Sequence, residues 1–365
     1  MTKIKEIIDF LENMAPKAWQ EPYDNTGLLT GVPDNPLTGV LITLDCTEEV
    51  VEEAIRTRCN LIIAHHPVIF KPLKSLTGKN YVERTIIKAI KNEISIYAIH
   101  TNLDNIKSGV NKKIADKIGL VNTSILSPKK NTLSKLTTFI PPENTQMVLD
   151  ALYAAGAGNI GNYSNCSFSV SGTGTFKPNE FANPHIGKQH VQEEASENRV
   201  EVIFPTYLED KILWTLKEAH PYEEVAYYLH KLENTYDEIG SGLIGELPET
   251  VYLTEFLKVL KTTFGLKYLR YTESRNDKVG RVALCGGSGS FLLNDAIQQK
   301  ADIFISADFK YHEFFDGEGK IAIVDIGHYE SEFFTKELIY ETVKKNFTNI
   351  ALEISEVNTN PVRYL

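Results

Sequence analysis

Three stretches of this 365-residue chain run from apolar residues straight into side chains that bind metals. The first is Leu61-Ile62-Ile63-Ala64-His65-His66-Pro67. The second runs from Ile94 through Ala98 and Ile99 to His100-Thr101-Asn102-Leu103-Asp104. The third runs from Ile321 through Asp325 to Gly327-His328-Tyr329-Glu330-Ser331-Glu332. Imidazole and carboxylate together suit Zn, Fe, Mn, Co or Ni, so the donor types leave the metal open. His65 and His66 would point oppositely on a regular strand, but at a turn they can address two ions. Pro67 supports such a turn, because the residue before proline is held extended. His328 and Glu332 lie one helical turn apart if a helix starts near residue 328.

Five candidate ligands follow: His65, His66, Asp104, His328 and Glu332. Two divalent ions with three donors each require one shared ligand, and Glu332 is the candidate because a carboxylate has two oxygens. Paired ions activate water and clamp an oxyanion. His100 and His312 are expected to line the site as proton donors without touching metal. His185, His190, His220 and His230 are expected to be structural or surface residues.

The elements that must position these residues are legible in the apolar pattern. Residues 40–44, 61–64 and 94–99 read as short buried strands. Ile4, Ile7, Ile8 and Leu11, then Val50, Val51, Ala54 and Ile55, repeat at helical spacing. Asp45 and Thr47 are placed to cap the second of these helices. The alternation predicts a mostly parallel sheet covered by helices, with ligand sites at the C-terminal strand ends. From about residue 133 the order becomes β-α-β-β-α-β, a ferredoxin-like plan. Residues 177–198 read there as a loop or mobile hairpin. Alternation returns after Gly240-Ser241-Gly242, with strands at 279–284, 303–306 and 321–325 and a helix at 333–343. The expected architecture is an interrupted α/β domain, residues 1–128 and 236–365, with an inserted ferredoxin-like domain at 129–235.

Cys285-Gly286-Gly287-Ser288-Gly289 is a glycine-rich turn between a strand and a helix. Its amides suit phosphate, but it matches no full nucleotide fingerprint, and a plain tight turn is the stronger reading.

Composition bounds the rest. The chain is 42% hydrophobic and 24% charged, with formal net charge -10. An acidic chain repels nucleic acid and anionic lipid, so neither is expected as a partner. No apolar run is long enough to span a bilayer, and acidic residues interrupt the N-terminal helix, so a cytoplasmic location is expected. The four scattered cysteines offer neither a C-x-x-C pair nor a disulfide framework.

These residues resemble the Nif-three-like dinuclear metal-centre family, whose members carry the name GTP cyclohydrolase I type 2 homolog. The motifs are Tyr23-Asp24-Asn25-Thr26-Gly27-Leu28, Ala64-His65-His66-Pro67, His100-Thr101-Asn102-Leu103-Asp104, the run from Ser306 to Glu313, and Gly327-His328-Tyr329-Glu330-Ser331-Glu332. In that family the ligands fall on the positions of His65, His66, Asp104, His328 and Glu332. The resemblance implies toroidal homohexamers with the sites facing an inner cavity. It also implies a PII/CutA-like insert, to which residues 161–178 are similar. Where this chain has Ser306-Ala307, the family often has threonine-glycine. Two functions are therefore expected: a metal-dependent hydrolase of a phosphorylated or nucleotide-like small molecule, or a non-enzymatic metal-binding scaffold whose insert binds an effector. Zn is the expected occupant of a purified sample.

Overall fold

The computed structural model describes residues 2–365. Its contacts divide them into two compact units: the residues through Ser127 together with Ile239–Leu365, and Pro128–Glu238.

The first unit carries two sheets with helices between and around them. One sheet is ordered Gly27–Thr30, Ser95–Ala98, Leu61–Ala64, Val40–Thr43, Leu352–Ile354. Its last four strands are parallel, and Gly27–Thr30 runs antiparallel on the edge. Every residue of the strands Val40–Thr43, Leu61–Ala64 and Ser95–Ala98 is buried, as expected of a parallel sheet covered on both faces. Helices Glu48–Thr57 and Tyr81–Lys91 place Val50, Val51, Ala54, Ile86 and Ala89 in one core with Leu41, Ile62 and Ile96. Thr47 caps the first of these helices by accepting from the amide of Val50.

The second sheet is mixed. Its order is Arg270–Tyr271, Ala322–Asp325, Ile303–Ala307, Lys278–Ser288, Tyr236–Tyr252, Val121–Lys129. The pairs 278–288/303–307 and 303–307/322–325 are parallel, while Tyr236–Tyr252 runs antiparallel to 278–288 and Arg270–Tyr271 antiparallel to 322–325. Phe304, Ile323, Leu292 and Ala296 share its core.

The unit Pro128–Glu238 runs strand, helix, strand, strand, helix, strand. Its sheet is ordered Phe168–Phe176, Glu193–Pro205, Leu133–Ile140, Tyr227–Leu232, with antiparallel neighbours throughout. Helices Thr145–Ala155 and Glu209–Ala219 bury Val148, Leu152, Ile212 and Leu216 against Leu136, Val200, Val202 and Phe204.

Several boundaries differ from expectation. The loop expected over 177–198 ends early, because Glu193–Glu197 pair with 172–176 in the ladder; long-range pairing overrides the low strand propensity of Glu-Glu-Ala-Ser-Glu. Gly240-Ser241-Gly242 is no break but lies within the strand Tyr236–Tyr252. The helix expected at 333–343 is preceded by a separate five-residue helix, His328–Glu332, and itself spans Thr335–Asn346. Among the described residues, no helix is long and apolar enough to cross a membrane.

Candidate metal centre

Five parallel strands end at one place. Val40–Thr43 leads to Asp45, Leu61–Ala64 to His65 and His66, and Ser95–Ala98 to His100 and the short helix Thr101–Asp104. From the second sheet, Ile303–Ala307 leads to Asp308, and Ala322–Asp325 to the helix His328–Glu332. Side chains far apart in sequence thus converge at the C-terminal strand ends, where parallel sheets form ligand sites.

The donor atoms group around Glu332, which is 3% exposed. Its Oε2 lies 2.9 Å from His66 Nε2 and 3.2 Å from His328 Nε2, and the two Nε2 atoms are 3.4 Å apart. A tetrahedral ion with bonds of ~2.0–2.1 Å has donor–donor edges of about 3.3 Å, so this triangle matches one face of a coordination shell. On the other side, His65 Nε2 lies 3.9 Å from Glu332 Oε1 and 3.6 Å from Asp104 Oδ1. His65 is fully buried, yet its Nε2 and the Oδ1 of Asp104 have no hydrogen-bond partner. Buried polar atoms left without partners are costly. A cation between them would satisfy both. The residues therefore fit a metal, and the fit is closest at His66, His328 and Glu332.

All four imidazoles of the cluster turn the same nitrogen outward. His65 Nδ1 donates to the Ile99 carbonyl at 2.8 Å. His66 Nδ1 donates to Asp45 Oδ1 at 2.8 Å, His100 Nδ1 to Asp24 Oδ1 at 2.8 Å, and His328 Nδ1 to Asp308 Oδ2 at 2.7 Å. Such outer partners fix the tautomer and leave Nε2 for a metal. His65, His66 and His100 form a second candidate group, their donor atoms within 4.8 Å of one another.

Charge follows burial and pairing. Burial opposes the charged form of His66, but its bonds to Asp45 and Glu332 outweigh this and raise its pKa to about 10. His328 is likewise desolvated, yet Glu332 and Asp308 raise it to about 9. For His65 burial wins, and its pKa falls to about 4. Burial and the neighbouring charge of Glu332 push Asp104 up. Glu332 is held well below the usual range despite its burial, because the imidazoles of His328 and His66 bond to it. Burial costs Asp24 too, but the bonds from His100 and Thr101 lower it to about 2.

The cluster opens into a cavity of about 810 Å³. His66, His100, Asp104, His328 and Glu332 line it. His312 does not: it is exposed, with its ring against those of Tyr311 and Phe315. Arg270 is the one lysine or arginine side chain among the described residues lining the cavity. Its Nη2 bonds Asp325 and donates to the Phe309 carbonyl at 3.0 Å, while the side chain stays 60% exposed. Cys285 also reaches the cavity, where burial pushes its thiol up, against a thiolate ligand.

The glycine-rich turn is a brace for Glu332. Gly286 N donates to Asn111 Oδ1 and Gly287 N to Ser331 Oγ, each at 2.9 Å. Both amides are therefore engaged within the chain. Gly287 has φ +63, and a β-carbon there would meet Glu332 Oε1 at 2.3 Å.

Sequence reasoning missed the carboxylates behind the histidines. Asp45 was read as a helix cap; it bonds His66 instead, while Thr47 does the capping. Asp24, whose role no residue pattern signals, bonds His100, and Asp308 bonds His328. Asp45 and Asp308 lie within two residues of the ends of buried strands, so the strand-end rule that singled out His65 applies equally to them. Nothing in the sequence signalled the C-terminal residues Asn360, Val362 and Tyr364, which also line the cavity.

The family model Duf34/NIF3 (NGG1p interacting factor 3) matches residues 2–361. The chain is similar to the GTP cyclohydrolase 1 type 2 homologs of Halalkalibacterium halodurans, at 39% identity over 98% of both chains, and of Bacillus subtilis, at 36% over 99% of this chain and 98% of that one. Among solved structures, a Bacillus cereus protein related to NIF3 superposes with TM-score 0.87 at 39% identity, covering 100% of this chain and 99% of the other. A Staphylococcus aureus protein superposes with TM-score 0.80 at 32% identity and the same coverage.

Proposed function

The chain belongs to the Duf34/NIF3 family, and from that premise we propose a dinuclear metal protein that hydrolyses a phosphorylated or nucleotide-like small molecule. In this reading His66 and His328 would hold one divalent ion and His65 and Asp104 the other, with the Glu332 carboxylate shared between them. The observation that carries the reading is the buried Glu332 carboxylate, with Oε2 against two imidazoles and Oε1 towards the unpartnered His65 Nε2, beside which lies the equally unpartnered Asp104 Oδ1.

Bound ions supply a water of lowered pKa and positive charge against an oxyanion. The chain's own residues do the rest. His100, held by Asp24, delivers a proton to the leaving group from Nε2. Arg270 meets a second anionic group. Exposed rings on the cavity wall, Tyr23 and Phe70 in one pair and Tyr268 and Tyr364 in another, offer faces to a planar ring. The name shared by the curated relatives agrees with a nucleotide-like substrate. The protein works in the cytoplasm as a homohexamer in this reading, and the unit Pro128–Glu238 is its inserted PII/CutA-like, ferredoxin-like domain.

Metal analysis tests the bridge. Glu332→Ala is expected to lose both ions while the circular dichroism of the fold persists; two ions still bound to that variant would reject it. A panel of phosphoesters, nucleotides and cyclic amides, each supplied with Zn, Mn, Co or Fe, tests turnover. Metal-dependent hydrolysis abolished by His66→Ala is expected. Turnover no greater than that variant's background would favour the second reading, a metal-binding scaffold. That reading is supported by a whole compact unit, Pro128–Glu238, that carries none of the five ligands.

A further inference from the structure

The last ten residues have no regular secondary structure, yet their bonds converge on the metal cluster. Thr359 Oγ1 donates to Asp45 Oδ2 at 2.6 Å. The other oxygen of that carboxylate, Oδ1, accepts from His66 Nδ1. Asn360 Nδ2 donates to Glu330 Oε1 at 3.0 Å. Glu330 sits in the five-residue helix whose ends are His328 and Glu332. One dipeptide therefore ties the carboxylate behind one ligand to the helix that carries two others. The tie spans both sheets of the unit: Asp45 follows a strand of the first, and the helix follows a strand of the second.

The rest of the segment holds this dipeptide in place. Ser355 N donates to the Ile42 carbonyl, extending the edge strand Leu352–Ile354. Ser355 Oγ bonds the buried Glu53, whose other oxygen accepts from Glu356 N at 3.0 Å. Beyond the dipeptide, Val362 N donates to Asn360 Oδ1 at 2.9 Å, and the Tyr364 ring packs on Tyr268 with centroids 6.2 Å apart. Asn360 is 9% exposed. Both ends of its amide are thus engaged, one on the helix and one on the backbone of Val362.

Resting on the dinuclear reading above, we propose that Thr359 and Asn360 are positioning residues for the metal centre, Thr359 for the ligand His66 and Asn360 for the helix that carries His328 and Glu332. The physical argument is local. Asp45 Oδ1 orients the His66 ring only while the carboxylate itself is fixed, and Thr359 is its second anchor. Asn360 opposes rotation of a helix too short to hold itself by backbone bonds alone. The other half of the centre lacks this tie: His65 is held by the Ile99 carbonyl, and no bond joins Asp104 to residues 356–365 among those found in the described residues. Loss of the Thr359 bond therefore acts on the His66 side alone, whereas Asn360 acts on the helix that carries the shared Glu332.

The test compares the full-length wild type with Thr359→Val, which keeps the shape and removes the hydroxyl, and with Thr359→Ser, which restores it. Each is loaded with Zn2+, counted by elemental analysis, and challenged with a chromophoric chelator. Removing a partner behind a metal ligand costs about 10–100-fold in metal affinity, and Thr359 stands one bond further out. The expected result is about tenfold faster release of a single ion from Thr359→Val, with the second ion kept and with Thr359→Ser close to wild type. Asn360→Leu, which frees the helix carrying the shared Glu332, is expected to speed release of both ions; release at the wild-type rate would overturn its role. Equal release from Thr359→Val and wild type, or equal impairment of the Val and Ser variants, would overturn the proposal. Loss of both ions together from Thr359→Val would also overturn it, since a collapsed fold and not a positioned ligand would then be responsible. A wild type that takes up no pair of ions rejects the dinuclear reading itself, a result separable from all of these.

Discussion

A β-carbon at position 287 would sit 2.3 Å from Glu332 Oε1, on a backbone with φ +63. No side chain fits without moving the carboxylate, and a non-glycine residue in this conformation costs about 1–3 kcal/mol. Gly287→Ala is therefore expected to lower stability by that order and to empty the metal site although all five ligands remain. Denaturant unfolding and metal counting together check it; full occupancy in a stably folded Gly287→Ala would contradict the cradle. The same residue scale explains why the histidines differ. Burial lowers the pKa of His65 to about 4, whereas, against the cost of burial, Asp45 and Glu332 raise that of His66 to about 10 and Glu332 and Asp308 raise that of His328 to about 9. Asp308, which backs His328, adopts φ +58 at the end of its strand, a conformation uncommon outside glycine and often found at functional positions.

Elements hold these residues by docking more than by their own propensity. The helix His328–Glu332 has five residues, too few to persist in water alone. Ser331 fixes it: its hydroxyl accepts from Gly287 N at 2.9 Å and donates to the His328 carbonyl at 2.8 Å. Ser331→Ala leaves the buried Gly287 amide unpaired, for which about 1–3 kcal/mol is expected. Because the helix carries two ligands, metal affinity should fall with stability. A variant that loses stability while binding Zn2+ as tightly as wild type would show that the helix is positioned some other way.

At the scale of the molecule, all five candidate ligands and the cavity belong to one unit, and the other compact unit has a core of its own. The strands Val121–Lys129 and Tyr236–Tyr252, which enter and leave the second unit, are neighbours in one sheet, so a short linker can join them. Replacing residues 128–238 by a glycine-serine linker is expected to leave a folded protein that binds the same number of ions. A folded excision variant without metal would make the second unit part of the centre. Turnover kept by that variant would speak for the hydrolase, and turnover lost with metal retained would give the second unit a role in catalysis or its control.

The amino-acid sequence alone determined the local facts. Apolar runs of four or five residues ending in His-His, in His-x-x-x-Asp and in His-x-x-x-Glu identified buried strands and the donors at their ends, because burial and donor chemistry are properties of residues and their neighbours. Helical spacing in Ile4, Ile7, Ile8 and Leu11 marked a helix for the same reason. Only the tertiary structure decided what depends on contacts across hundreds of residues. It paired Asp45 with His66, Asp24 with His100 and Asp308 with His328, left His312 at the surface, made a strand of Glu193–Glu197, and drew the last residues over the cavity. A carboxylate near a strand end can cap a helix, face solvent or hold a histidine. Which of these it does is settled by what the rest of the chain brings within about 3 Å of it.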